Sequence, residues 1–205
     1  MKTLCYTLTL ASTLWMLMFS PFTAPYLPFW SMMTLSALTL AALATKFGTP
    51  PWWKRLQFSI GELMWGFGIA ELLWGLFWVG DALSSQLFTF AADEVQALYS
   101  LAADVSPRAL TPLLLLIGPA EEIFWRGYVQ ETLSRHWGAN RGYIAATVLY
   151  TAAHFPSGNI MLILAALTAG GIWGLCYRLF PKRLTAIILS HALWDAAIFV
   201  WFPLH

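Results

Sequence analysis

Charged residues are scarce in this chain of 205 residues: Asp, Glu, Lys and Arg together make up 10%, against about 25% in an ordinary soluble domain. Hydrophobic residues account for 59%, and the mean hydropathy is +0.65. This balance excludes a typical soluble globular domain and indicates a polytopic membrane protein surrounded by a lipid bilayer.

Basic clusters, cysteines and repeats are also rare. The formal net charge is +1, and no run of basic residues interleaved with aromatics is present, so nucleic acid is excluded as a partner. The two cysteines, Cys5 and Cys176, lie in different apolar segments without metal-type spacing, and we predict that they are packing residues. No repeat or low-complexity tract divides the chain, which we interpret as a single integral membrane domain over residues 1–205.

Long apolar runs predict the fold. Most of them approach the roughly 20 residues that a membrane-spanning helix requires, and they cover residues 4–22, 26–45, 58–80, 110–130, 142–155, 160–177 and 184–202. The first run lacks an Ala-x-Ala cleavage site and is interpreted as a span; if it were a cleaved signal peptide, six spans would remain. The predicted fold is all-α, a polytopic membrane helix bundle of about seven transmembrane helices plus one interfacial helix.

The interfacial helix is predicted in the polar connection 81–108. Apolar residues recur there at helical spacing, at Leu87, Ala91, Val95, Leu98, Ala102 and Val105. Such a pattern is typical of an amphipathic helix that lies along a membrane surface. We place this connection on the extracytoplasmic side.

The distribution of Lys and Arg predicts the orientation. Cytoplasmic loops carry an excess of basic residues. With seven spans and a cytoplasmic N-terminus, Arg108 alone lies outside and Arg126 lies within the membrane, while the other basic residues of the total of 11 lie inside. The C-terminal His205 is then extracytoplasmic.

Two adjacent carboxylates and a guanidinium lie within the fourth predicted span. Side chains four apart share a helix face, so Glu122 and Arg126 are expected to pair, whereas Glu121 points elsewhere. Pro119 removes a backbone donor just before them. An ion pair that locks helix packing is the simplest alternative, but the surplus carboxylate favours a functional site, because charge inside a membrane is costly.

Two further polar pairs lie in later spans, again four residues apart. Tyr150 precedes His154, and His191 precedes Asp195, whose carboxylate is suited to fix the imidazole's tautomer. At about 1.5 Å per residue, Glu121 and His191 fall near mid-membrane, and His154 falls nearer the outer side. If these groups converge, acid-base hydrolysis, metal ligation and proton relay all remain open.

The three motifs together resemble the signature of the CPBP intramembrane proteases, also called the Abi or CAAX-protease family, which includes the type II CAAX prenyl endopeptidases. The resemblance covers residues 110–202, the expected catalytic core. It implies that Glu121 is the general base with His154 as its partner, that Glu122 and Arg126 orient the site, and that His191 and Asp195 stabilise the oxyanion.

The resemblance also implies a multi-pass protein of a bacterial cytoplasmic membrane and a membrane-associated or exported peptide as the substrate. Tyr150 replaces the usual Phe and adds a hydroxyl that needs a partner. Asp195 replaces the Asn of the prenyl peptidases; since an ionised Asp only accepts hydrogen bonds, we expect it to orient His191. The short chain and scant loops also resemble the prokaryotic members rather than the eukaryotic prenyl peptidase, so we expect a membrane-bound or secreted peptide as the substrate rather than a prenylated CAAX protein.

Three alternatives to a metal-free peptidase stay open from sequence. One is a zinc-dependent protease with Glu121, His154 and His191 as ligands, although no His-Glu-x-x-His cluster is present. Another is a non-catalytic scaffold or immunity protein that retains the motif. A proton-coupled transporter is the third, but it would be expected to show related halves.

Overall fold

The computed structural model describes residues 1–204, so the predicted position of His205 lies outside the described residues. Every regular element among them is helical. The α-helices are α1 (Lys2–Phe19), α2 (Phe29–Phe47), α3 (Ile60–Leu87), α4 (Ala91–Ser100), α5 (Pro107–Phe124), α6 (Glu131–Trp137), α7 (Ala139–Ala153), α8 (Ile160–Leu179) and α9 (Leu184–Ala196). The predicted all-α bundle is confirmed.

Each predicted span corresponds to a helix, with shifted ends. The third runs seven residues past its predicted end at Gly80, to Leu87, and the surface helix is shorter than its apolar pattern suggested. Within the described part of the chain, three helices are long and apolar enough to cross a membrane, at Ile60–Leu87, Ile160–Leu179 and Leu184–Trp201. The count of seven spans and the orientation stay predictions.

Helix α5 is central, because it packs against both α2 and α9. It continues without a break through the π-helical segment Trp125–Gln130 into α6. Pro119 lies six residues before the start of this segment at Trp125 and is accommodated inside the helix. The π-helical geometry is frequent at functional sites because it re-aims side chains along an otherwise regular helix.

Two apolar clusters form the interior. One joins α1, α2, α5 and α7 around residues such as Trp15 and Phe124, and the other joins α3, α8 and α9 around Leu73 and Trp173. Tyr150 belongs to the first cluster and Trp173 to the second. The Arg126 guanidinium lies over both rings, 4.8 Å from the first centroid and 5.5 Å from the second. The polar residues of the predicted site therefore lie where the two clusters meet.

Glycines spaced four residues apart on α8 allow close helix contact. A Cβ on Gly170 would lie 2.5 Å from the Tyr150 ring, and one on Gly174 would lie 3.1 Å from the Tyr143 ring. The same two glycines expose their carbonyls to the central helix. Arg126 donates to Gly170 O at 2.9 Å, and Gln130 donates to Gly174 O at 2.8 Å.

Glu62, a carboxylate within the third predicted span, has a structural role in the bundle. It is buried, and its carboxylate accepts hydrogen bonds from the Arg183 guanidinium at 2.8 Å and from the Ala186 backbone N–H at 3.0 Å. Ala186 lies in the first turn of α9, where backbone N–H groups lack helical partners. Glu62 therefore supplies a hydrogen-bond acceptor for the first turn of α9 and holds that turn against α3.

Candidate active site

Glu122 and Arg126 form the buried ion pair that their spacing predicted. Arg126 Nη1 donates to Glu122 Oε1 at 2.7 Å, and both side chains are almost fully buried. The guanidinium also donates to Gly170 O on α8. A planar guanidinium with several donors suits such a position, and the pair ties the central helix to its neighbour.

His191 binds to the same carboxylate. Its Nδ1 lies 2.7 Å from Glu122 Oε1, whereas its Nε2 lies 3.5 Å from Asp195 Oδ2. The sequence predicted that Asp195 orients the His191 ring. The short hydrogen bond of that ring is instead to Glu122, which lies on another helix and accepts it. Gly118 permits this approach, because its Cα faces the α9 backbone and an added Cβ would lie 3.0 Å from Ala192 N.

Glu121 points away from this pair, as expected for a residue directly next to Glu122 on a helix. Its Oε2 accepts a hydrogen bond from the Tyr150 hydroxyl at 3.2 Å, which supplies the partner that the extra hydroxyl required. No hydrogen bond to Glu121 Oε1 is found among residues 1–204. This buried carboxylate therefore has one oxygen held by the protein and one able to bind a water.

His154 ends α7 and is fixed by its own helix. Its Nδ1 lies 2.9 Å from the Tyr150 carbonyl oxygen. A carbonyl only accepts, so Nδ1 carries the hydrogen and Nε2 of the neutral ring keeps its lone pair. The rings of Trp15 and Phe19 pack against the imidazole, at centroid distances of 6.5 Å and 5.7 Å.

A single cavity brings the predicted residues together. Its volume is about 420 Å³, and four of the six predicted site residues line it: Glu121, His154, His191 and Asp195. Glu122 and Arg126 are not among its lining residues and lie behind them. Most of the remaining wall is aromatic or aliphatic, including Phe19, Trp30 and Phe77 from the first three helices. The cavity thus combines an apolar wall with two imidazoles and three carboxylates, those of Glu121, Asp195 and Asp81.

Trp173 is a site residue that sequence reasoning missed. Its ring stacks on the His191 imidazole with centroids 3.8 Å apart and an interplanar angle of 22°. Its indole N–H donates to Ser190 Oγ at 2.7 Å. Tryptophan in membrane proteins is enriched at the membrane–water interfaces. The position of Trp173 well inside an apolar span is therefore the sequence feature that could have indicated a role in the site.

The zinc alternative does not fit the arrangement. Among residues 1–204, no group of three or more His, Cys, Asp or Glu side chains is placed to hold a metal ion. A catalytic zinc needs three protein ligands within roughly 2.0–2.3 Å of one point. Glu121, His154 and His191 share the cavity without meeting that requirement, so no step is derived through a metal.

Comparison with known families supports the sequence resemblance. Residues 104–197 match the model of one family, described as type II CAAX prenyl endopeptidase Rce1-like. The chain carries an Rce1-like domain. Comparisons with curated proteins and with solved structures gave no match. The Rce1-like match spans α5 to the end of α9, so it contains all six predicted site residues.

The Rce1-like match and the three apolar helices identify an integral membrane protein. They also support an intramembrane protease of the CAAX type in general.

Replacement of Tyr150 by Phe tests the contact on Glu121. The change removes the hydroxyl that donates to Glu121 and leaves the ring under the Arg126 guanidinium. A hydrogen bond to a charged group contributes about 1.5 to 3 kcal/mol to stability, so we expect the free energy of unfolding to fall by about that amount. We also expect the peptidase rate to fall about tenfold or more, because the Glu121 carboxylate loses the contact that fixes it. Turnover of a membrane peptide by purified protein measures this.

The matched control is Tyr143→Phe, on the same helix but outside the cavity lining. It is expected to leave the rate within about twofold. Equal rates for the Tyr150 variant and the unmodified protein would contradict the assigned contact.

Proposed function

We propose that the protein is an intramembrane endopeptidase that hydrolyses a peptide bond in a membrane-associated or exported peptide. The observation that carries the proposal is the cavity in which the Glu121 carboxylate, held on one oxygen by Tyr150, faces the same space as His154 and His191. A carboxylate with a free oxygen and an imidazole with a free lone pair are the groups that general-base activation of water requires.

Glu121 accepts a proton from the attacking water, with the lone pair of His154 Nε2 as a second acceptor beside it. The oxygen of that water forms a bond to the scissile carbonyl carbon, and negative charge develops on the carbonyl oxygen. The anion then collapses and the carbon–nitrogen bond breaks, as Glu121 returns the proton to the nitrogen of the leaving amine. No covalent intermediate with the protein is required.

His191 is the proposed donor to the developing anion. Its Nδ1–H is directed to Glu122, so the ring must carry a second hydrogen on Nε2 to donate into the cavity. Two carboxylates and the Trp173 face surround the imidazole and favour its positive form. Glu122 and Arg126 hold this ring in place, and donors fixed before the reaction are what makes such stabilisation effective.

Asp195 contributes charge rather than a hydrogen bond to the anion. It lines the cavity 3.5 Å from His191 Nε2, where an ionised carboxylate balances the imidazolium until substrate arrives. The anion of the transition state then competes for the same N–H.

The cavity favours an apolar segment of substrate. Its wall includes residues from α1, α2, α3 and α4 as well as the Rce1-like region, so we propose that the whole chain works as one membrane domain, with residues 110–202 as its catalytic core. We propose that it lies in a bacterial cytoplasmic membrane with a cytoplasmic N-terminus.

The test is cleavage of a fluorogenic transmembrane peptide library by the purified protein in lipid vesicles. We expect a defined cleavage product, identified by mass spectrometry, and a rate that treatment with a zinc chelator leaves within about twofold. Complete loss of the rate with the chelator, restored by added zinc, would contradict the metal-free mechanism. Lack of any product with every library member would contradict the peptidase proposal.

A further inference from the structure

Glu71 carries a carboxylate within an apolar span, and this carboxylate lies outside the interior of the bundle. It lies on α3, one of the three helices able to cross a membrane, about 16 Å from the helix start at 1.5 Å per residue. That is close to the middle of a hydrocarbon core of roughly 30 Å. The side chain is exposed, and no hydrogen bond or ion pair to it is found among residues 1–204.

The other buried or mid-membrane charges contrast with Glu71. Glu62 on the same helix is bound by Arg183 and by the start of α9, and Glu122 is bound by Arg126 and His191. Ionisable side chains inside membranes almost always face the bundle interior or a partner. A carboxylate that faces outward at mid-span therefore indicates a partner outside this chain.

The helix face around Glu71 has the shape for a close helix contact. Met64, Glu71 and Trp78 are seven residues apart, so they lie along one face of α3, and all three are exposed. Gly68 and Gly75 flank Glu71 on that face, and a Cβ added at either glycine would meet nothing within 4 Å. Small residues let transmembrane helices approach closely. We call Met64, Gly68, Glu71, Gly75 and Trp78 the outer face of α3.

Charge complementarity indicates which kind of helix binds the outer face of α3. Among residues 1–204, a second copy of this chain would offer no accessible cation at this depth, because Arg126 and His191 are buried and paired and the Lys and remaining Arg residues lie at or beyond helix ends. A carboxylate in hydrocarbon is matched by Lys or Arg. We infer that the outer face of α3 docks a transmembrane helix of another protein that carries a basic residue near mid-membrane.

The inference is independent of the peptidase proposal, because Glu71 does not line the cavity. The probe is a synthetic Leu/Ala helix of about 20 residues with one central Lys, compared with the same helix carrying a central Leu. Energy transfer between labelled peptide and labelled full-length protein in lipid vesicles measures association. We expect the Lys peptide to bind about tenfold more tightly, as one interhelical polar contact of about 1.4 kcal/mol gives.

Two variants and one control locate the contact. Glu71→Gln is expected to reduce binding of the Lys peptide to about the level of the Leu peptide. Gly68→Ile, which fills open space on the same face, is expected to weaken both peptides. Asp93→Asn, which removes an exposed carboxylate on α4, is expected to change neither.

Equal binding of the two peptides would overturn the inference and leave Glu71 as a neutral, lipid-facing acid. Energy transfer between two protein copies that Glu71→Gln abolishes would overturn it in favour of self-association. Both results are independent of whether the protein cleaves any peptide.

Discussion

Replacement of Glu121 by Gln is expected to reduce cleavage of a membrane peptide by roughly 10²- to 10⁴-fold, the range attributed to general acid–base catalysis. Glutamine keeps the shape of the side chain and its ability to accept from Tyr150, but it cannot take a proton from water. Initial rates with the fluorogenic peptide measure the loss. Because the site is buried, a neutral side chain there removes a desolvation cost, and the protein is expected to unfold at the same temperature or a higher one.

The control for Glu121→Gln is Asp104→Asn, which removes an exposed carboxylate just before α5. Its rate is expected to match that of the unmodified protein. If the Glu121 variant turned over at more than about a tenth of the normal rate, the base would have to be another group of the cavity.

Replacement of Arg126 by Leu is expected to have the largest effect on stability. It removes the donor that neutralises Glu122, whose carboxylate is fully buried, and it removes the bond to Gly170 O. Loss of one partner of a buried ion pair typically costs about 3 to 5 kcal/mol. Unfolding by denaturant in detergent micelles measures the change.

A double variant distinguishes the cost of leaving the Glu122 carboxylate unpaired from the cost of losing the packing contacts of Arg126. Replacing both partners, Glu122→Leu with Arg126→Leu, removes the carboxylate together with the guanidinium, and exchange of a whole buried pair for apolar residues is often close to neutral. We expect the double variant to be more stable than Arg126→Leu alone. A double variant less stable than the single one would show that the Arg126 contacts with the rings and with α8 dominate.

Local relations along one helix could be predicted from the sequence. The pairing of Glu122 with Arg126 follows from a spacing of four and the cost of charge in an apolar segment, and it is confirmed at 2.7 Å. The positions of the main helices follow from the apolar runs. The sequence did not reveal that the rings of Tyr150 and Tyr143 pack against the glycines of α8.

Relations between helices could not be predicted in the same way. His191 was assigned to Asp195 because both lie on one helix, yet its short contact is with Glu122, 69 residues earlier in the chain. The role of Glu62 at the start of α9 and the stack of Trp173 on His191 are likewise contacts across helices. Spacing says which side chains share a face, but only the packing of the bundle decides which faces meet.

The carbonyls of Gly170 and Gly174 bear on how a membrane-embedded peptide reaches the cavity. Arg126 and Gln130, four apart on the central helix, hold these two carbonyls, four apart on α8. Sliding or parting the two helices would break both buried bonds together, with no water in the hydrocarbon to replace them. A peptide diffusing in the bilayer is therefore expected to enter between other helices of the bundle, and the contact between the π-helical segment Trp125–Gln130 and α8 is expected to stay closed.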